Sequence, residues 1–322
     1  MEAAPAALHL VRCPCSSTSG VSLPHTFDSI RVTRVRKRTI WLAAGLLVGA
    51  FAVLGVAGWF LGRPVPQRVG AAPPDLNAES VTIPVSSGRA IHGWFAPGRP
   101  GAGAVLFLHP LRGNRTTMLS RARFVHADGR AVLLVDLQAH GESPGPVITF
   151  GARESEDARA ALAYLRSREP NERVAAVGWS LGGAAALLGP APLAVDALVL
   201  EAVYPTIGEA VGDRLRIRLG ALGPPLAIGL TAQLRFWTGF GADALRPIDA
   251  IRGVRAPVLV IAGERDPRTL LSESRRLFAA ARAPKELWVV AGAGHDDFHA
   301  THSAEYEARV RDFLRRYLGP AG

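Results

Sequence analysis

Residues 178–183 read Gly-Trp-Ser-Leu-Gly-Gly and directly follow a short apolar run, Val-Ala-Ala-Val at 174–177. A buried strand that runs into Gly-x-Ser-x-Gly and then into a helix of small residues is typical of a nucleophile elbow. On that sharp turn Ser180 takes a strained backbone conformation, so the positions two before and two after it must be nearly free of side chain. The turn lifts the Ser180 hydroxyl out of the sheet, and the N–H of Leu181, at the helix start, can face a developing oxyanion.

Partners for this serine follow strands predicted later in the chain. The apolar run at 256–263 is followed by Asp266, and the run at 286–290 is followed by a glycine-rich loop that carries His295. Both loops come after the C-terminal end of a strand, where parallel sheets place their functional residues. The trio supplies what serine chemistry needs, because His295 takes the proton of Ser180 while Asp266 fixes the tautomer and stabilises the imidazolium.

Five motifs occur in order along the chain. They are Leu-His-Pro-Leu-Arg-Gly-Asn at 108–114, Asp-Leu-Gln-Ala-His-Gly-Glu-Ser at 136–143, the elbow, Gly-Glu-Arg-Asp at 263–266 and Gly-Ala-Gly-His at 292–295. On these motifs, residues 80 to 318 resemble an α/β-hydrolase fold enzyme. The resemblance is closest to the lipase/esterase and serine-aminopeptidase-like branch, which includes membrane-anchored members. The order serine, aspartate, histidine is the order this family uses.

The resemblance also implies a second oxyanion donor, in the loop after the third strand. In this family the loop usually reads His-Gly-x-x-Gly-Asn, and the N–H after the His-Gly pair joins the oxyanion hole. Here Pro110 stands where glycine is usual. Proline has no N–H and stiffens the loop, but the expected donor is the next residue, Leu111, so the hole can still form.

Other residues compete for the catalytic roles. Glu264 lies two residues before Asp266 and is its rival as the orienting acid, although the family pattern favours Asp266. His299 and His302 compete with His295, but both fall at the start of a predicted helix and are interpreted as surface residues.

Three further residues near the motifs are interpreted as structural. In the family that this chain resembles, His109, His140 and Asp136 tie loops together near the site rather than transfer protons. No group of His, Cys or carboxylate residues has metal-ligand spacing, so the sequence implies neither a metal nor another cofactor.

The alternation of apolar runs and helical stretches predicts an α/β fold, with a mostly parallel sheet and helices on both faces. Apolar segments at 81–85 and 90–95 flank Ser-Ser-Gly-Arg and predict an opening β-hairpin. Further strands are predicted at 104–108, 131–135, 173–177, 195–201, 257–262 and 286–290, with helices near 117–127, 152–168, 181–188, 270–282 and 303–317.

An insertion at about 203–250 interrupts this alternation, and the family resemblance makes it a helical cap over the site. Its middle, 219–234, carries no charge and includes a Pro-Pro pair. The short length and the prolines argue against a second membrane span. Two interpretations of the segment remain: its helices pack their apolar faces on the core, or Leu226, Ile228 and Leu230 line an acyl pocket or touch the bilayer.

Residues 39–62 contain no charged side chain, and Trp41 and Trp59 lie near the two ends. A helix of this length spans about 36 Å, enough for a hydrocarbon core of about 30 Å. The segment is longer than the apolar core of a signal peptide, so it predicts one transmembrane helix with interfacial tryptophans. Basic residues crowd its N-terminal flank at 31–38. The positive-inside rule therefore predicts a cytoplasmic N-terminus and an extracytoplasmic catalytic domain. This side is the periplasmic face of a bacterial inner membrane or, in another kind of organism, a lumenal or extracellular face.

Around this helix we expect a disordered basic tail at 1–38, a Pro/Gly/Ala-rich linker at 63–79 and the hydrolase domain at 80–320. Both cysteines, Cys13 and Cys15, lie in the tail, so the hydrolase domain cannot form a disulfide. The formal net charge is +10. The arginines are scattered without the interleaved aromatic residues of a binding platform, so a nucleic-acid partner is not expected.

The sequence as a whole predicts a single-pass, membrane-anchored serine hydrolase that cleaves carboxylic esters of small molecules or lipids through an acyl-enzyme. One alternative is a serine peptidase of the aminopeptidase-like branch, because the same groups cleave amides. An alternative from another class is a catalytically silent hydrolase fold that acts as a binding protein, but the intact trio argues against it. The sequence indicates neither the substrate nor an oligomeric state.

Overall fold

The computed structural model describes residues 28–86 and 88–320. The tail at 1–27, with both cysteines and its predicted disorder, lies outside these residues. The chain divides into two compact units, 1–50 and 51–322.

Helix α1 extends from Asp28 to Gly62, so it begins well before the predicted boundary at residue 39. Residues 28–38, expected to be disordered, are therefore helical. A physical reason is that arginine and lysine have high helix propensity, so they extend a helix that the apolar segment has already formed. Within the described part of the chain, α1 is the one helix long and apolar enough to cross a membrane, over Arg36–Gly62.

The strands that follow are short, and several are buried along their whole length. Those of the described residues are β1 Val65–Pro66, β2 Glu79–Pro84, β3 Ala90–Ala96, β4 Ala104–Leu108, β5 Ala131–Val135, β6 His140–Gly141, β7 Val174–Trp179, β8 Ala197–Glu201, β9 Val258–Gly263 and β10 Lys285–Val290.

Eight of these strands form one sheet in the order β2-β3-β5-β4-β7-β8-β9-β10. Strand β3 runs antiparallel to both β2 and β5. The other neighbours are parallel, with Leu108 of β4 opposite Gly178 of β7 and Trp179 opposite Glu201 of β8. The C-terminal ends of β4, β7, β8, β9 and β10 therefore open on the same edge.

Helices cover both faces of this sheet. Those after α1 are α2 Leu119–Ala127, α3 Glu154–Arg168, α4 Leu181–Leu187, α5 Ile207–Leu219, α6 Gly223–Ala232, α7 Leu234–Thr238, α8 Pro247–Ala250, α9 Leu271–Ala280, α10 Phe298–Thr301 and α11 Ser303–Leu318. One core cluster joins α3, α4 and α9 to one face, and another joins α2 and α11 to the other. The predicted α/β-hydrolase fold is confirmed.

The segment predicted to be a linker, 63–79, is hydrogen-bonded to the domain. Strand β1 pairs with β6, and the Val65 N–H donates to the Ala139 carbonyl oxygen at 2.8 Å. Farther on, the Gly70 N–H donates to Glu142 Oε1 at 2.9 Å. This segment therefore differs from a free spacer, because backbone groups along it have partners in the domain.

The predicted cap corresponds to α5, α6, α7 and α8, which lie between β8 and β9. Within α6, Ala227 and Leu230 are buried, while Leu226 is 40% and Ile228 is 73% exposed. Packing of α6 against α5 thus accounts for the buried side of this helix, and it leaves other apolar side chains of the segment 219–234 on the surface.

Candidate active site

The predicted nucleophile sits at a sharp strand-to-helix turn. Strand β7 ends at Trp179, α4 begins at Leu181, and Ser180 between them has φ 50° and ψ −107°. A positive φ is unfavourable for a residue with a Cβ, and such outliers cluster at functional sites. The N–H of Ser180 donates to the carbonyl oxygen of Glu201 at 2.8 Å, which holds the turn against the neighbouring strand.

The turn requires glycines because the backbone of α4 approaches the sheet closely. A Cβ on Gly182 would lie 2.1 Å from the Leu108 carbonyl oxygen, and a Cβ on Gly178 would lie 2.6 Å from the Gly183 Cα. These are backbone atoms, so no side-chain rotation can relieve the overlap. The spacing predicted for a nucleophile elbow thus has a steric cause in this structure.

We expect Gly182→Ala to destabilise the protein by about 3 kcal/mol, the upper part of the usual range for overpacking. Gly212→Ala is the matched control, because Gly212 is also helical but a Cβ there has its nearest contact 3.9 Å away, at Ala227. Alanine is about 1 kcal/mol better than glycine in a helix interior, so the control should be neutral or stabilising. Thermal unfolding of the two variants measures the difference, and equal midpoints would contradict it.

The predicted acid and base are in direct contact. His295 Nδ1 lies 2.7 Å from Asp266 Oδ2, and the two side chains are 8% and 1% exposed. The other carboxylate oxygen, Oδ1, accepts the N–H groups of Arg268 and Thr269 at 2.7 and 2.9 Å. A carboxylate can only accept, so the proton of a neutral His295 lies on Nδ1, which leaves Nε2 free to act as a base.

The sheet brings the loops of these residues to the edge where the serine turn lies. Val290, the last residue of β10, pairs with Gly263, the last residue of β9, and the Arg265 N–H donates to the Ala293 carbonyl oxygen at 2.8 Å. One strand, β8, separates β9 from β7. The structure therefore joins the acid to the base and places Ser180 at the same sheet edge.

The rival carboxylate has a different partner. Glu264 is exposed, and its Oε2 accepts the Gly292 N–H at 2.8 Å, so it links the two loops instead of contacting His295.

Of the competing histidines, His302 is partly exposed at the start of α11, but His299 is only 9% exposed. Its ring stacks on Phe124 at 5.4 Å and its Nε2 lies 3.0 Å from Glu307 Oε1. The expectation that His299 is a surface residue is therefore wrong, because α2 covers it.

Two backbone N–H groups are candidates for the oxyanion hole. Leu181 begins α4, and Leu111 follows β4, the strand next to β7. Among the described residues, neither N–H has a protein acceptor. Pro110 shapes the second loop through its carbonyl oxygen, which lies 2.8 Å from His109 Nδ1 and accepts the Gly113 N–H at 3.0 Å. Both oxyanion donors remain predictions.

His109 is held by both of its ring nitrogens. Nδ1 donates to Pro110, and Nε2 accepts the Leu137 N–H at 3.0 Å. Burial, with His140 close by, lowers the pKa of His109 to about 3, so the ring is neutral at neutral pH. The His140 ring lies 5.0 Å away, and its Nδ1 contacts the Gln138 carbonyl oxygen at 2.9 Å. These contacts agree with a loop-tying role for both histidines.

Asp136 orders the second motif. Its carboxylate accepts the Arg115 N–H at 2.7 Å and the Glu142 N–H at 2.9 Å, and it pairs with the Arg115 guanidinium at 2.6 Å. Burial raises the pKa of Asp136 above its ordinary value. With its oxygens engaged in this way, the carboxylate fixes loops instead of acting as a second acid.

A buried ion-pair network beneath the site was missed by sequence reasoning. Arg121 is fully buried, and its Nη2 lies 2.7 Å from Glu201 Oε2. The Tyr306 hydroxyl donates to the same carboxylate at 2.5 Å. Burial alone would lower the pKa of Arg121, but the nearby Glu201 raises it above its ordinary value. The one sequence signal was a glutamate that ends an otherwise apolar strand.

This network also contacts the loops that carry the predicted site residues. Arg121 Nη1 lies 2.8 Å from Asp297 Oδ1, two residues beyond His295. The main chain of Glu201 holds the N–H of Ser180, as described above. Removing one partner of a buried ion pair strongly destabilises a protein. The network therefore holds the turn of Ser180 and the loop of His295 against the end of β8.

Fold and site together define the class of α/β hydrolases. Residues 91–309 match the alpha/beta hydrolase family, and the chain belongs to that family.

Relatives from a bacterium and from a plant align with most of the chain. The uncharacterized protein Rv2307c of Mycobacterium tuberculosis is 32% identical over 260 residues, which cover 79% of this chain and 83% of the relative. The alpha/beta hydrolase domain-containing protein WAV2 of Arabidopsis thaliana is 28% identical over 256 residues, which cover 76% of this chain and 80% of WAV2.

Solved structures share the fold. The esterase Pf2001 of Pyrococcus furiosus superposes with a TM-score of 0.67 at 22% identity, covering 80% of this chain and 99% of that chain. An esterase from Exiguobacterium antarcticum has a TM-score of 0.55 at 14% identity and covers 73% of this chain and 99% of its own. At these identities the likeness concerns the fold.

Proposed function

We propose that this protein is a membrane-anchored serine hydrolase that cleaves carboxylic esters through an acyl-enzyme. The observation that carries the proposal is the 2.7 Å contact between His295 and Asp266, at the sheet edge where Ser180 occupies a strained turn. A buried carboxylate, a histidine with its second nitrogen free and a serine on an elbow are the parts of an acyl-transfer site. The esterase neighbours support the choice of ester substrates.

In the proposed reaction, Ser180 Oγ attacks the ester carbonyl carbon and its proton passes to His295 Nε2. Asp266 accepts the Nδ1–H throughout and stabilises the imidazolium. The N–H groups of Leu181 and Leu111 donate to the oxyanion and stabilise its charge. The imidazolium then protonates the leaving alcohol, and a water molecule activated by the same nitrogen releases the acid.

The anchor in this proposal is α1. Many of the large apolar side chains that the structure describes between Ile40 and Phe60 are at least half exposed. Trp41 is 76% and Phe51 is 66% exposed. Such a surface is costly in water and is what a bilayer covers. The basic flank supports a cytoplasmic N-terminus and a catalytic domain on the extracytoplasmic side.

A fluorophosphonate probe tests the reaction class, because it reacts covalently with activated serines. We expect the full-length protein in detergent to be labelled and Ser180→Ala to remain unlabelled. A parallel panel of p-nitrophenyl esters and aminoacyl p-nitroanilides then separates esterase from peptidase activity, and we expect turnover of the esters. A folded wild-type protein without labelling would reject the enzyme in favour of a silent binding protein. Preferred turnover of the anilides would replace the esterase with a peptidase.

A further inference from the structure

The cap presents large apolar side chains to its surroundings. Leu222 is 72%, Ile228 is 73% and Phe236 is 80% exposed, and Leu226 is 40% exposed. Single exposed apolar residues are ordinary on a protein surface, but a concentration of them on α6, on α7 and at the turn that leads into α6 marks an interaction surface. We call these four side chains the apolar face of the cap.

The end of α1 packs against the same two helices. A Cβ on Gly229 of α6 would lie 2.9 Å from Leu54 Cδ1, and a Cβ on Gly58 would lie 3.2 Å from Nε1 of Trp237 in α7. Small residues therefore let the helices approach closely, as they do between membrane helices. Leu54 precedes Gly58 in α1, and their partners Gly229 and Trp237 follow the same order along the cap. The two segments therefore run in the same direction, and the start of α6 lies toward Phe51.

These contacts fix the depth of the cap if 39–62 crosses the membrane. Leu54 precedes Gly62, the last residue of the span, by about 12 Å along the helix axis. A side chain or backbone packed on Leu54 must then lie below the headgroups. Leu222 and Leu226 share a helical face with Gly229, at the spacing i, i+4 and i+7, and continue this face toward Phe51.

The charge of the segment that carries the apolar face, as distinct from the whole cap, suits the same location. Residues 214–242 contain four arginines and no acidic residue. Arg218 and Arg235 are exposed. At the end of α1, the Arg63 guanidinium lies 4.0 Å from the centre of the Phe60 ring. Arginines beside apolar side chains are typical of segments that lie in the interface of anionic membranes.

We propose that the apolar face of the cap is immersed in the outer leaflet of the lipid bilayer beside α1, with Arg235 among anionic headgroups. The surface deepens the proposed function and rests on its membrane anchor. It gives the hydrolase a second membrane contact, on the helical insertion between β8 and β9.

Depth-dependent fluorescence quenching tests this surface in the full-length protein. In a Cys13→Ser, Cys15→Ser background, single cysteines at Ile228 and Phe236 carry an environment-sensitive dye, in nanodiscs of phosphatidylcholine and phosphatidylglycerol. Val48→Cys in α1 reports on the anchor, and Ala163→Cys, exposed on α3, is the matched control. We expect doxyl-labelled lipids to quench the dyes at 228, 236 and 48 strongly and the dye at 163 little. Thermal unfolding verifies that each variant is folded.

The outcomes separate the two proposals. Quenching at 48 without quenching at 228 and 236 would overturn the cap surface and leave the anchor in place. If no position is quenched, the anchor and the cap surface are both rejected. Cross-linking between copies through 228 or 236, without lipid quenching, would also overturn the proposal, because a second copy would then cover the face.

Discussion

Replacing Ser180 by alanine should lower ester hydrolysis by about 10⁶-fold, the scale of loss when a catalytic serine is removed. The remaining rate would come from substrate binding and the oxyanion donors, which the substitution leaves in place. Alanine carries a Cβ like serine, so the turn at φ 50° keeps its geometry and the protein should stay folded. The measurement is kcat/KM for a p-nitrophenyl ester, with thermal unfolding as the check on stability.

Ser167→Ala is the matched control, because Ser167 is an exposed serine on α3 and lies outside the proposed site. It should retain full activity. If Ser180→Ala keeps its fold and its kcat/KM falls by less than about tenfold, another group is the nucleophile. The loss of an ordinary contact, worth about 1 kcal/mol, is enough to explain a change of that size.

Asp266→Asn should lower kcat/KM by about 10⁴-fold, the loss typical of a triad aspartate replaced by its amide. The structure indicates why. Oδ1 accepts two backbone N–H groups, so the asparagine oxygen must stay there and its NH₂ group must face His295. That group donates to Nδ1 and moves the ring proton to Nε2, where it blocks proton transfer from Ser180.

Glu264→Gln is the control for this experiment, because Glu264 is the neighbouring carboxylate and contacts Gly292 instead. Its effect should stay within about tenfold, in keeping with a loop contact at the surface. If the two variants lose activity equally, the assignment of Asp266 as the orienting acid fails.

The fold was predictable because its central strands are buried on both faces. Such strands form continuous apolar runs in the sequence, which is why β4 and β5 were predicted with their observed bounds. The cap was predictable only as an insertion. Its side chains divide between core and surface along one helix, and the uncharged stretch at 219–234 carries no pattern that separates them.

Site residues were predictable where they belong to short local motifs. Residues that contact the site from distant parts of the chain were missed. Ser180 and His295 sit in glycine-bounded motifs. Arg121 pairs with Glu201 across 80 residues of chain, and the glutamate at the end of an apolar strand gives no indication of which residue is its partner. His299 looked like a surface residue because Phe124, which covers it, comes from another helix.

The hydrogen-bonded segment after α1 also restricts the distance between the helix and the domain. A free segment as long as 63–79 would have a root-mean-square end-to-end distance of about 20 Å. Here β1 is bonded to β6, and Gly70 is bonded to Glu142, within a few residues of the end of α1. With α1 as the proposed membrane anchor, a lipid substrate of the proposed hydrolase would reach the site by lateral diffusion in the bilayer plane. Its turnover would then follow the mole fraction of substrate among the lipids rather than the bulk concentration.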